Sequence, residues 1–369
     1  MALGLFQTGQ FALDIGGSDV VALSVAGGAD KLRLRACHEW PLSPGLVVDG
    51  EIADHDLFVR ELRSWVNQNK LRGRSVQLAV SNQKVIIRNI DMPDLSEEEL
   101  LSAVQFQAQD YIPIPVDEVV LDAQIIGRRE APDGTVRQEV LLVAAQRTMI
   151  MNLLSAVRKA GLKVLGIDVA SLALMRALVP QAPYVGDDES SVACHGLVDI
   201  SSSVSTLAVA VGDTLRFTRM VNFSSDRFVR AISEQRNIPY DDAHLLVQRV
   251  GLAGPLPADR DFYRDDVVDQ TQEILSEVAD ELGEEIKRSF DYYQAQEQSV
   301  PVSQLILSGR GALVRNLDSH LADFLGMPVA VANPLVHVSE NSSDMSDAEL
   351  LSMAPCLSVA MGLVLPERN

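Results

Sequence analysis

Two aspartates in matching surroundings are the residues of this sequence best suited to chemistry. Asp14 lies near the end of an apolar run, Phe11-Ala12-Leu13-Asp14-Ile15, and is followed by Gly16-Gly17-Ser18. Asp199 lies near the end of a second, Gly196-Leu197-Val198-Asp199-Ile200, and is followed by Ser201-Ser202-Ser203. Each small-residue stretch leads into another apolar run, Val20 to Val25 and Val204 to Val211. This is the pattern of a β-hairpin whose turn lets another group come close. Backbone N–H groups of such turns can hold phosphate oxygens. Two carboxylates suit Mg²⁺, a hard cation that keeps its waters and takes only one or two of them. A single such aspartate would be read as a turn acid capping local N–H groups. Its repetition about half a chain length apart favours a duplicated phosphate-and-metal element.

Arg310, between Gly309 and Gly311 in Leu305-Ile306-Leu307-Ser308-Gly309-Arg310-Gly311-Ala312, reads equally as a contact for a phosphate or a base and as a residue of a solvated loop. No catalytic constellation accompanies these groups. The six histidines are scattered without metal-ligand spacing, and there is neither a Gly-x-Ser-x-Gly elbow nor a Walker P-loop. The stretch from Asp91 to Asp122 is rich in acids and holds no Lys or Arg, which marks a solvated face or a contact for a basic peptide end.

Several elements must position these residues. Phe11 to Pro41 reads as strands, and Asp54 to Leu71 as an amphipathic helix with Leu57, Leu62, Trp65 and Val66 on its apolar side. Ser75 to Val80 and Val85 to Ile90 read as strands. Ser96 with Glu99 forms a capping box opening a helix whose apolar side is Leu100, Val104, Phe106 and Ala108, stopped near Tyr111 by Pro113 and Pro115. Glu118 to Ile126 and Glu139 to Ala145 read as paired strands joined by Ala131-Pro132-Asp133-Gly134, and Thr148 to Ala160 as a helix ending at Gly161. Further helices are expected over Asp168 to Leu178, Asp226 to Gln235, Asp241 to Val250 and Asp265 to Gln294, with a buried strand at Gln304 to Ser308 and a helix from Leu313. Leu350 to Leu365 reads as a buried helix, too short to span a membrane.

The chain has 369 residues, 47% of them apolar, enough for two well-filled domains. With 51 acidic against 31 basic residues and a net charge of −20, it is a poor match for nucleic acid or anionic lipid. Cys37, Cys194 and Cys356 are far apart and lie in or near apolar runs, which suggests buried thiols in a reducing compartment. Met1 to Gln10 does not have the form of a signal peptide. A cytoplasmic location is expected, with any membrane attachment made through a partner.

The two Asp-Ile hairpins and the Leu-Ser-Gly-Arg-Gly turn resemble the two phosphate motifs and the adenosine motif of the actin-like ATPase superfamily. A narrower resemblance lies in Gln105 to Val119, where Gln109-Asp110-Tyr111-Ile112-Pro113-Ile114-Pro115 is similar to a signature of the PilM family of type IV pilus assembly. Ile286-Lys287-Arg288-Ser289-Phe290-Asp291-Tyr292-Tyr293, Val331-Ala332-Asn333-Pro334 and Ala354-Pro355 are similar to that family as well. The resemblance implies an α/β actin-like ATPase fold of two duplicated lobes. These are residues 1–182 with an inserted subdomain at about 85–160, a linker at 183–191, a second lobe at 192–340, and a return to the first lobe at 341–369.

It also implies an ATP and Mg²⁺ site formed by Asp14, Gly16, Gly17, Ser18, Asp199, Ser202, Ser203, Gly309, Arg310 and Gly311, with Asp14 and Asp199 on the metal. Several positions depart from the superfamily pattern: Val21, Ser201, Ser224-Ser225, His244, Val247 and Ala170, the last where a water-orienting group is usual. These departures point to a degenerate site with little hydrolysis. The implied function is a cytoplasmic adaptor of the pilus inner-membrane platform. It would hold the N-terminal cytoplasmic peptide of a PilN-like membrane protein, with the motor ATPase or a platform protein as further partners. The capture groove is expected where the inserted unit meets the strands of Phe11 to Leu34. Two rivals remain: a sugar-kinase-like phosphotransferase, whose catalytic Asp cannot be placed, and an FtsA-like filament, whose usual terminal amphipathic helix is not seen in Leu365 to Asn369.

Overall fold

The computed structural model describes residues 11–28, 31–130, 134–179, 193–254, 263–296 and 299–366. The expected linker at 183–191, residues 1–10 and most of the turn at Ala131 to Asp133 lie outside them.

The first lobe opens with β1 (Phe11–Ile15), β2 (Asp19–Ala26) and β3 (Leu32–Pro41), paired antiparallel in sequence. A short hairpin, β4 (Val47–Val48) and β5 (Glu51–Ile52), leads to α1 (His55–Gln68), capped by the Asp54 carboxylate on the Leu57 N–H. β6 (Ser75–Val80) then pairs parallel with β1.

The inserted unit follows: β7 (Val85–Pro93), α2 (Glu97–Tyr111), β8 (Val119–Glu130) and β9 (Val136–Gln146), whose strands form a separate sheet in the order β7-β9-β8. The Ser96–Glu99 capping box is present, and the helix stops at Tyr111 as the prolines require. α3 (Arg147–Lys159) leads back, and Gly161 after it has φ +102°. β10 (Lys163–Val169) pairs parallel with β6 before α4 (Ala170–Leu178). The helix expected from Asp168 therefore starts two residues later. Asp168 and Val169 are held in the strand by their pairing with Ala79 and Val80.

The second lobe repeats the plan. β11 (Cys194–Asp199), β12 (Ser205–Val211) and β13 (Thr214–Val221) form an antiparallel meander, followed by α5 (Asp226–Arg236), α6 (Tyr240–Arg249) and the long α7 (Asp265–Gln294). β14 (Gln304–Ser308) pairs parallel with β11, a 3₁₀ turn covers Arg310–Leu313, and α8 (Leu317–Leu325) precedes β15 (Val329–Val331). Read from the third strand, the sheet orders are β3-β2-β1-β6-β10 and β13-β12-β11-β14-β15, the same topology twice. The duplication inferred from two short motifs thus extends over whole sheets.

The chain returns to the first sheet at β16 (Val338–Asn341), paired with β3, slightly ahead of the expected return at 341. Its last part is not one helix. α9 (Asp347–Ser352), a 3₁₀ turn over Ala354–Leu357 and α10 (Ser358–Val364) are separated at Pro355, which cannot continue a helix. Among the described residues no helix is long and apolar enough to cross a membrane.

Each lobe has its own core, and a third cluster joins α4 and α10 to apolar residues of both sheets. The inserted unit has a small core of its own, with Leu100, Val104 and Ala108 of α2 facing it. Phe106, expected on that side, is 90% exposed. Leu100, Val104 and Ala108 repeat every four residues along one stripe, and Phe106 lies about half a turn away. Burial pushes the Cys37 and Cys194 thiols up, to about 12 and about 11, consistent with structural cysteines.

Candidate functional site between the lobes

Asp14 and Asp199 lie at the C-terminal ends of central strands, Asp14 one residue before the end of β1 and Asp199 last in β11, and the duplicated topology turns both strand ends toward the other lobe. Register fixes their neighbours. Asp14 is opposite Val21, and Asp199 lies beside Ser308 of β14. The Ser308 hydroxyl donates to Asp199 Oδ1 at 2.8 Å. Among the described residues the Asp14 carboxyl has no hydrogen-bond or ion-pair partner.

Both acids keep part of their surface accessible, yet both titrate well above the ordinary aspartate range. Asp14 is pushed up to about 8, first by burial and then by the charges of Asp199 and Asp19. Asp199 is raised to about 6 by burial, with the Ser308 bond working against the shift and the Asp19 charge adding to it. Two facing carboxyls without a compensating cation are electrostatically suited to a divalent ion.

The small-residue turns are closed on each other. The Gly16 N–H donates to the Asp19 carbonyl at 2.8 Å, giving the first turn its shape. In the second, the Ser201 hydroxyl donates to the Val204 carbonyl at 2.7 Å, so the side chain that replaces a glycine braces its own turn. A Cβ placed on Gly17 would lie 2.8 Å from Ser203 Cβ and 3.0 Å from Ser202 Oγ, so glycine is required where the turns meet. The Ser202 hydroxyl is buried there without a partner.

Gly309 has φ +76°, and a Cβ there would meet the Ile200 carbonyl at 2.7 Å and Asp199 Oδ1 at 2.9 Å. Its N–H donates to the Pro355 carbonyl, and that of Gly311 to the Ile200 carbonyl. These glycines therefore serve the packing of the second lobe and the C-terminal return.

Arg310 reaches across the cleft. Its Nε and Nη2 donate to Asp19 Oδ1 and Oδ2 at 3.1 and 2.9 Å, and Nη2 also bonds Glu39. Arg310 comes from the second lobe and both acids from the first, so this fork closes the lobes over the paired turns. Asp19 and Glu39 were not singled out from the sequence. The only local signal was that Asp19 directly follows Gly-Gly-Ser, and nothing linked it to a residue in the other half.

The donor set fits a hydrated Mg²⁺ and a phosphate: two uncompensated carboxyls, a buried unpartnered hydroxyl and two turns of small residues. The contact between Gly17 and Ser203 leaves no phosphate-sized gap, so a bound nucleotide would need the lobes apart. Among the described residues no group of three or more His, Cys, Asp or Glu side chains is arranged to hold a metal. Ala170 is buried at the start of α4 and offers no group to orient water. Val247 is buried in the core of the second lobe and offers no polar group to a base, and His244 stacks on Tyr240.

Arg310→Ala is expected to destabilise the protein by about 2 kcal/mol, because Asp19, only 12% exposed at its side chain, would lose its counter-charge. Adding Asp19→Asn should recover most of that loss. Denaturant melts of the single and double variants check it; equal losses in both would show that the fork contributes packing alone.

The family model described as "Type IV pilus assembly protein PilM" matches residues 12–368. Among solved structures, one described as a PilM–PilN type IV pilus biogenesis complex is 26% identical, covers 96% of this chain and 97% of its own, and has a TM-score of 0.78. The ethanolamine utilization protein EutJ of Carboxydothermus hydrogenoformans is 13% identical, with coverages of 97% and 89% and a TM-score of 0.54. MreB5 of Spiroplasma citri bound to ADP is 14% identical, with coverages of 96% and 94% and a TM-score of 0.52. The last two speak to the fold alone, which is that of the actin-like ATPases.

Proposed function

We propose, on the premise that this chain belongs to the PilM family of type IV pilus assembly proteins, that it is a cytoplasmic adaptor holding the N-terminal tail of a PilN-like inner-membrane protein. A pair of adjoining cavities carries this reading. One of about 210 Å³ and one of about 40 Å³ share Val80 and Ser81, at the junction between the first lobe and the inserted unit. An extended peptide crossing such a junction can anchor one side chain in each cavity while its backbone pairs with the walls. The ordering entropy lost by a flexible tail is offset by those anchors.

The track differs in place from the sequence expectation. Among the described residues of Phe11 to Leu34, only Ile15 lines it. The larger cavity is walled by the β6–β7 connection, with Thr206 and Met220 of the second lobe opposite. Arg88 and Arg219 are its charged lining residues, and neither has a carboxylate partner among the described residues. Apolar side chains and carbonyl oxygens suit this cavity. Lys or Arg of a juxtamembrane tail would stay outside it, on the acidic remainder of the surface.

The nucleotide site is read as degenerate. Asp14 and Asp199 would hold Mg²⁺, and Ser18, Ser202, Ser203 and Arg310 would face phosphate once the lobes part. Weak binding with hydrolysis near background is expected, because a group to orient the attacking water is missing at Ala170. A motor ATPase or platform protein remains a further partner on this reading.

The test is anisotropy of a labelled tail from the membrane protein encoded beside this one. Ile86→Arg, in the larger cavity, is expected to weaken capture about tenfold or more, and Leu245→Arg, on the exposed face of α6, to leave it unchanged. Equal capture by both variants would remove the tail from this junction. Phosphate release at about 1 per second or faster would replace the catalytically silent adaptor with an ATPase.

A further inference from the structure

We propose that the outward face of α2 is a second docking surface, with Phe106 as its anchor, for a partner that presents an apolar face rimmed by Lys and Arg. The inference is independent of tail capture, because Phe106 faces away from the core of the inserted unit and lines neither cavity.

Phe106 is 90% exposed in the middle of a regular helix with a capping box at its start. Its exposure is therefore not that of a frayed end. Leu101 on the same helix is 43% exposed, whereas Leu100, Val104 and Ala108 fill the core side. The fold has used the apolar stripe it needs and leaves a phenyl ring in water. Burying such a ring is favourable, a gain open only to a contact outside this unit.

The surroundings say what that contact is. The stretch from Asp91 to Asp122 holds nine acids and no Lys, Arg or His. Asp91 and Asp94 are engaged by Arg129, Arg137 and Arg128. Glu98, Asp110, Asp117 and Glu118 are exposed and have no ion-pair partner among the described residues. They flank Phe106 on the helix and on the turn after it, so a cationic rim would meet charge from both ends. A second copy of this chain, with its net charge of −20, would bring two acidic faces together, and an anionic lipid surface would be repelled in the same way.

The experiment uses the full chain and three labelled peptides of equal length: a Leu/Lys amphipathic helix, its Leu/Glu counterpart, and a Ser/Lys peptide with the same charge and no apolar face. The Leu/Lys peptide is expected to bind the unmodified chain about tenfold more tightly than Phe106→Ala, with Phe106→Leu within about threefold of the unmodified chain. The paired change Glu98→Lys and Asp110→Lys should weaken it by about fivefold or more. The other two peptides should bind at least tenfold more weakly.

Three results would overturn the proposal. The first is equal affinity of the unmodified chain and Phe106→Ala, or Ser/Lys binding as tight as Leu/Lys. The second is a Phe106-dependent dimer in sedimentation, which would give the surface to a second copy. The third is Phe106-dependent flotation with phosphatidylglycerol vesicles, which would give it to lipid. Because Phe106 touches no core, the variants keep the fold, which thermal melts verify. They should also keep tail capture, so loss of one contact and loss of the other are told apart.

Discussion

Replacing Asp14 by Asn is expected to stabilise the metal-free protein at pH 8 and to leave its stability unchanged near pH 4. The sign follows from the direction of the shift. Asp14 titrates at about 8 in the folded chain against 3.8 for an ordinary aspartate. Below the ordinary value, folded and unfolded chains are both protonated and the group contributes nothing. As pH rises from there to about 8, the unfolded chain releases the proton while the folded chain keeps it, so stability falls, and above about 8 the penalty is constant. Asn does not ionise, so the variant lacks this slope. The full shift bounds the effect at roughly 5 kcal/mol. Because Asp14 is partly accessible to water, a gain of about 1–3 kcal/mol is the expected result.

Asp199→Asn should act over a narrower window, from the ordinary value up to about 6, and its gain is reduced by the Ser308 bond that favours the charged form. Urea melts in chelator across this range check both variants. Parallel stability profiles for Asp14→Asn and the unmodified chain would show that the carboxyl is not held in its protonated form. Mg²⁺ should stabilise the unmodified chain at pH 8, where it replaces the lost proton as counter-charge, and have no such effect on the double variant. A fold that keeps two such acids protonated or partly so gives up stability at neutral pH, which a ligand that supplies positive charge would restore.

What the sequence made legible was local. The two hairpins announced themselves by apolar runs ending in Asp-Ile. α7 and β14 have the bounds their periodicity predicts, and the Ser96–Glu99 box starts its helix where expected. The misreadings have physical causes. β10 was missed because Gly166 interrupts its alternation and forces a register shift against β6, and only the neighbouring strand completes it. Phe106 was assigned to the core by residue type, although its position half a turn from Leu100, Val104 and Ala108 sets it outward. The interlobe fork was invisible because Arg310 finds Asp19 and Glu39 only after two separately folded sheets come together. Asp14 and Asp199 were legible as a pair, but nothing in the sequence conveyed that their turns meet through Gly17 and Ser203.

The C-terminal return supplies the strictest test of how the lobes are joined, through Gly362. α10 crosses α4 so closely that a Cβ on Gly362 would lie 1.8 Å from the Ala173 carbonyl oxygen and 2.4 Å from its carbon. Those atoms are helix backbone and cannot swing aside as a flexible side chain would. The crossing is fixed from another direction as well: Arg176 of α4 donates to the Gly362 carbonyl at 2.9 Å while pairing with Asp168. α10 packs on β1, β2 and β6 of the first lobe, and α4 reaches β11, β12 and β13 of the second, so any separation here moves both sheets. In an ordinary helix, Gly→Ala gains about 1 kcal/mol of helix propensity. At Gly362 the sign is expected to reverse, with Ala costing about 3 kcal/mol and Val preventing the native crossing. Gly28→Ala is the control, since a Cβ there meets nothing within 4 Å. Melting curves of the three variants decide it, and a Gly362→Ala midpoint within about a degree of the unmodified chain would mean that the crossing is loose. If the loss is seen, the same variant should relax the contact between Gly17 and Ser203 and weaken the mutual effect of Asp14 and Asp199. The pH profile of Gly362→Ala should then be shallower than that of the unmodified chain, because the helices that join the lobes also set the distance between their acids.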